Sequence, residues 1–172
     1  MIKIICVGKI KEKYLKSACN EYIKRLGKYT KIEIVEIKDE ANAEKALKIE
    51  GSKILSKIKD DEYVITLDIA GKSISSLDFA KKINKVFNSN SKLTFVIGGS
   101  YGMSNLVKDR SNYSLSFSKM TFPHQLFRVI LLEQIYRSYK INNNESYHKW
   151  GMLWIKRWLY LLFYIQLCFL LL

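Results

Sequence analysis

Between Leu93 and Arg137 the chain gathers most of the residue types that can do chemistry. The run Ile97-Gly98-Gly99-Ser100-Tyr101-Gly102 follows an apolar stretch. Glycines there let a ligand approach the backbone and leave N–H donors at the carboxyl end of a strand, where open α/β sheets bind ligands. A tight turn is the plainer reading of the same residues. The run is not a dinucleotide fingerprint, which needs GxGxxG opening a helix and an acidic residue ~20 positions further on. Downstream, His124 stands beside the chain's only proline at the head of an apolar helix that also carries Arg128, Glu133 and Arg137. A hydrogen-bonded structural histidine and a catalytic one are both open at His124. Arg128 suits a carboxylate or a phosphate equally. Glu133 and Arg137, four apart, form a favourable helical pair. Tyr147-His148-Lys149, after the polar turn Asn142 to Ser146, reads by itself as a solvated loop.

The elements that must position these groups follow from hydrophobic periodicity. Ile2 to Val7 is a nearly continuous apolar run closed by Gly8, as expected of a strand buried on both faces. Tyr14, Leu15, Ala18, Tyr22, Ile23 and Leu26 recur at three and four, which predicts an amphipathic helix from Lys11 to Lys28 with a basic outer face. A second strand spans Ile32 to Ile37, a helix Asn42 to Ile58, and a third strand Tyr63 to Ile69, after which Ala70-Gly71-Lys72 is expected to turn the chain. Ser75 or Ser76 caps a helix reaching Phe87, and Leu93 to Ile97 is the fourth strand. Ser114 to Met120 alternates in the manner of a half-exposed or edge strand, and Thr121 is expected to cap a helix with Pro123 in its first turn. Strands alternating with helices call for an α/β fold, a mostly parallel sheet with helices on both faces.

The 172 residues suit one domain, and 48% hydrophobic content places the charge on a globular surface. Lys and Arg number 29 against 16 Asp and Glu, a net charge of +13, which points to a polyanionic partner such as nucleic acid or an anionic membrane. Three cysteines without paired spacing (Cys6, Cys19 and Cys168) read as reduced thiols of a cytosolic protein. No Cys/His cluster has zinc spacing, so no metal is expected, and the N-terminus carries no export signal.

Taken together, FVIGGSYG, YSLSFSKMTFPHQLFRVILLEQIYRSYKI and ESYHK closely resemble the RlmH family of ribosomal RNA methyltransferases, and the opening residues to Glu40 are similar too. The resemblance covers Met1 to Lys149. It implies a SPOUT-class fold with a C-terminal trefoil knot, a homodimer, and S-adenosylmethionine as cofactor. The implied reaction is methylation of N3 of a pseudouridine in a hairpin loop of large-subunit (23S) rRNA on the assembled ribosome. Carried over position by position, the cofactor site is Leu67, Gly98, Phe117, Ser118, Lys119, Met120, Thr121 and Phe122. His148 is the first choice of general base, with Tyr147 supporting it and His124 second. Arg128, Arg137 and Lys149 are expected to meet RNA phosphates. The rival reading is a catalytically impaired ribosome- or RNA-binding protein.

The chain departs from the family in two places. The segment between the second strand and its helix is shorter than expected. Residues Trp150 to Leu172 form an atypical, almost wholly apolar extension beyond the 1–149 domain. After Arg157 only fifteen residues remain, short of the ~20 a helix needs to cross a bilayer. Read-through or a frameshift is the leading explanation; a membrane-surface anchor and a segment packed on the dimer rank below it.

Overall fold

The computed structural model describes residues 1–147. His148, Lys149 and the apolar extension lie outside the described residues, and with them Cys168.

The apolar runs form five strands: β1 (Ile2–Val7), β2 (Ile32–Ile37), β3 (Tyr63–Ser73), β4 (Leu93–Ile97) and β5 (Tyr113–Ser116). They are wholly parallel, in the order β2-β1-β4-β3-β5. Five helices connect and follow them: α1 (Lys13–Leu26), α2 (Ala43–Leu55), α3 (Ser76–Ser89), α4 (Asn105–Arg110) and α5 (His124–Asn142). Alternation along the strands splits the core in two, because successive side chains leave opposite faces of the sheet. Ile2, Ile4, Cys6, Ile65, Leu67, Phe95 and Ile97 pack with Leu131, Leu132 and Ile135 of α5. Ile5, Val7, Val64 and Val96 pack instead with Ile54 of α2 and Val107 of α4. Helices therefore cover both faces, and Cys6 and Cys19 are free and buried.

The predicted cap forms at Ser75, which accepts from Asp78 N at 3.1 Å, and Asn42, expected inside the second helix, caps it instead by accepting from Lys45 N at 3.2 Å. Three expectations are corrected. β3 does not end at Ile69 but resumes: Leu67 and Lys72 both pair with Leu115, so the intervening residues form an irregular step in the ladder. The alternating run after Tyr113 is strand only to Ser116, at the sheet's edge, and Phe117 to Pro123 is irregular. Helix α5 starts at His124 with Pro123 as its N-cap, and Thr121 does not cap it. The residue before a proline is driven away from helical dihedrals, so Phe122 could not join the helix. Helix α4, unforeseen, is six residues long, too short to show a period.

Candidate functional site

The step within β3 and the carboxyl ends of β4 and β5 open into one cleft of about 420 Å³, within the range of small-molecule sites. Its floor is apolar, with Leu67, Ile97, Leu115 and Phe117 contributing, and its wall is the glycine loop after β4. That loop closes on itself through Gly102 N donating to Gly99 O at 3.0 Å. Only glycine fits at 98, where a Cβ would lie 2.6 Å from Gly102 O and 2.7 Å from Met103 Cγ. At Gly99 a Cβ would come within 2.6 Å of Glu50 Oε2.

Of the eight residues assigned to the cofactor from the sequence, seven line this cleft: Leu67, Gly98, Phe117, Ser118, Met120, Thr121 and Phe122. Lys119 is exposed and is not among the lining residues. The irregular segment after β5 is held by short bonds, Ser116 Oγ donating to Ser118 O at 3.0 Å and Met120 N donating to Ser118 Oγ at 2.9 Å. Phe117 stacks edge-on against Phe79 and Phe127, which fixes this wall to α3 and α5.

His124 lines the same cleft. Burial lowers its pKa from the ordinary 6.5, repulsion from Arg128 adds to the shift, and the Glu50 carboxylate opposes it. The imidazole is therefore neutral at pH 7 and able to accept a proton.

Arg128 is the most informative correction. It was expected to meet an RNA phosphate, yet it is 1% exposed. Its guanidinium pairs with Glu36 at 2.7 Å and donates to the carbonyls of Val7 and Gly8. A side chain so enclosed ties the start of α5 to the ends of β1 and β2 and presents nothing to an outside phosphate. Arg137 pairs with Glu133 at 2.5 Å and lies over the Tyr147 ring, 4.9 Å from its centroid. Tyr147 donates to Glu133 Oε1 at 3.1 Å. Burial and the neighbouring carboxylate push its phenol pKa up, so it keeps its proton. Glu133 lies nine residues beyond His124 on α5, about 13 Å along the axis at ~1.5 Å per residue. Tyr147 is therefore remote from the cleft of its own chain, while His148 and Lys149 lie outside the described residues.

Three polar residues at this end of the sheet escaped the sequence reading. Asp68 and Lys108 both line the cleft and pair at 2.7 Å. Glu50 is 4% exposed and lies behind Gly99. Asp68 directly follows a candidate strand-end residue, which was the available signal for it. Nothing in the local pattern of Lys108 or Glu50 distinguishes them from ordinary helix residues. Among the described residues no group of three or more His, Cys, Asp or Glu is placed to hold a metal ion. No helix among them is long and apolar enough to cross a membrane.

A parallel sheet with a glycine-walled cleft at its carboxyl end is consistent with the SPOUT class. The family model described as "Predicted SPOUT methyltransferase" matches residues 1–148. Among curated proteins, the chain is 57% identical to the "Ribosomal RNA large subunit methyltransferase H" of Clostridium botulinum (strain Alaska E43 / Type E3), over 86% of this chain and 99% of the relative. The proteins of the same name from Clostridium acetobutylicum and Clostridioides difficile are 54% and 55% identical, with the same coverage. The chain belongs to the RlmH family of SPOUT methyltransferases.

Proposed function

We propose that this protein transfers a methyl group from S-adenosylmethionine to N3 of a pseudouridine in a hairpin loop of 23S rRNA, acting in the cytoplasm on the assembled ribosome. The observation that carries the proposal is the 57% identity, along 99% of its length, to a protein named as a large-subunit rRNA methyltransferase. The cleft supports it. Its volume of about 420 Å³ suits a nucleoside cofactor, and the bare Gly98 backbone, where a Cβ has no room, leaves the wall open to close approach.

When bound, the cofactor supplies an electrophilic methyl carbon. The residues of this chain do the rest. Leu67, Gly98 and the run Phe117, Ser118, Lys119, Met120, Thr121 and Phe122 hold and orient it, and the apolar floor excludes water. The imide N3 must lose its proton, and His148 accepts it directly or through a water, with His124 as the second candidate. Tyr147, protonated and bonded to Glu133, supports the site as a donor and an orienting ring. Arg137 and Lys149 orient the RNA through phosphates. A base in a single-stranded loop is the kind of RNA target that proteins read in detail. The net charge of +13 favours that partner.

The protein acts as a homodimer in this reading, with its C-terminal part threaded as a trefoil knot. Two features support the dimer. Ile69, Tyr101 and Met120 expose apolar surface on the cleft walls, and Leu126 exposes more at the start of α5. Tyr147 also stands away from the cleft of its own chain, a separation that a second subunit would bridge. The test is transfer of labelled methyl to ribosomes lacking the modification, with the full chain and a version ending at Lys149. Activity in either form is expected. Cofactor binding without transfer in both forms would replace the proposal with an RNA-binding protein.

A further inference from the structure

The cleft wall is polar in an uneven way. Ser100, Ser116, Ser118 and Thr121 are uncharged and His124 is neutral, so among the described residues Asp68 and Lys108 are the charged ones lining it. They stand together at 2.7 Å, one negative and one positive. Asp68 sits at the step where β3 leaves its register with β5, and its second carboxylate oxygen accepts from Ala70 N at 3.0 Å, which fixes the carboxylate. Lys108 projects from α4 with 45% of its side chain exposed, against 19% for Asp68. An ion pair this open to water is weakly held, so a ligand that offers each member a new partner separates them at small cost. The ligand that matches is a zwitterion carrying an ammonium and a carboxylate on one carbon.

We propose that Asp68 and Lys108 form the clamp for the α-amino-acid end of the methyl donor, Asp68 accepting from its ammonium and Lys108 donating to its carboxylate. The inference rests on the proposed use of S-adenosylmethionine. It adds a specificity element: the pair distinguishes the intact cofactor and its product from nucleosides that lack the amino-acid end. Asp68 is suited to this because the bond from Lys108 holds its carboxyl below the ordinary carboxylate pKa and keeps it charged at neutral pH. The competing explanation is that the pair merely fastens the six-residue α4 to the end of β3.

Calorimetric binding to the full chain separates the two, with S-adenosylhomocysteine and 5′-methylthioadenosine as probes, since only the first has the amino-acid end. The wild-type protein is expected to prefer S-adenosylhomocysteine by about tenfold or more, as two charge-assisted hydrogen bonds imply. Asp68→Asn and Lys108→Met should each remove most of that preference and leave the affinity for 5′-methylthioadenosine within about twofold. The exchanged double variant, Asp68→Lys with Lys108→Asp, restores a tether between α4 and β3 but not the placement of the charges. It should regain thermal stability without regaining the preference. Single variants that keep the full preference, or an exchanged variant that recovers it, would overturn the clamp. Failure of the wild-type chain to bind either nucleoside would overturn the cofactor reading and the clamp with it. Binding of both with equal affinity would overturn the clamp alone.

Discussion

The two ends of the sheet treat buried polar groups in opposite ways. At the amino ends of the strands, Lys3 Nζ pairs with Glu62 at 2.7 Å and donates to Lys57 O at 2.7 Å, while Thr94 Oγ1 donates to the second oxygen of Glu62 at 2.7 Å. Lys3, Glu62 and Thr94 are all buried, and Arg110 closes the loop below them through Lys59 O and Glu62 O. Both carboxylate oxygens of Glu62 are bonded. At the carboxyl ends stand the three buried side-chain atoms without a hydrogen-bond partner among the described residues: Glu50 Oε2, Ser104 Oγ and Arg128 Nε. Glu50 uses only one oxygen, accepting from Glu40 N at 2.9 Å. An unpaired buried polar atom costs free energy, so the fold is held at one end and carries a cost at the other, around the cleft. That division is what a site needs if its groups are to be arranged for a ligand.

The comparison is tested most severely by making one substitution at both ends. Glu62→Gln leaves the Lys3 ammonium buried without its counter-charge and should lower stability by about 3 kcal/mol or more in urea unfolding. A cost near zero would erase the contrast. Gly98→Ala acts at the cleft, where the new methyl meets the Gly102 carbonyl at 2.6 Å. It should cost about 1–3 kcal/mol and weaken S-adenosylhomocysteine at least about tenfold, because the wall itself must shift. A normal affinity in calorimetry would mean that the loop is not part of the binding surface.

A pH series sharpens the same contrast. Because the pKa of His124 is lowered in the folded protein, the unfolded chain binds more protons between that lowered value and 6.5. Stability should therefore rise with pH through that window and be lost as pH falls through it, and His124→Asn should flatten this slope. An unchanged slope in the variant would place the titration elsewhere. The smallest effect is expected at Glu50. Glu50→Gln keeps an acceptor for Glu40 N and removes a buried charge, so it should change stability by less than about 1 kcal/mol, or raise it. Equal losses for the two glutamates would show that the ends do not differ.

Much of the fold was legible because both faces of β1, β4 and the first half of β3 are buried and the helices show apolar stripes. Four of the five helices among the described residues were anticipated, and the other, α4, is too short to carry a period. Ala70-Gly71-Lys72 reads as a turn, since no local signal reveals that β3 picks up its partner again after a step. In the cleft, Leu67, Gly98 and most of the run from Phe117 to Phe122 come together as the family resemblance implies, whereas side-chain partners far apart in sequence had no such signal. Asp68 meets Lys108 forty residues on, and Arg128 finds Glu36 on a strand that only the tertiary fold brings near. Tyr147 was expected beside the reacting groups, but its hydroxyl reaches Glu133, well down α5. Charge and spacing report which residues can react; they do not report which end of a helix the chain returns to.

The bond from Arg128 to Gly8 joins residues 120 positions apart, the first strand to the last described helix. In order of synthesis, β1 is made first, and the carbonyls at its end meet the Arg128 guanidinium only once α5 has followed. No nascent fragment ending before Arg128 contains that tie. A contact so far apart in sequence closes late, and the ordered start of α5 depends on a strand made at the opposite end of the described chain.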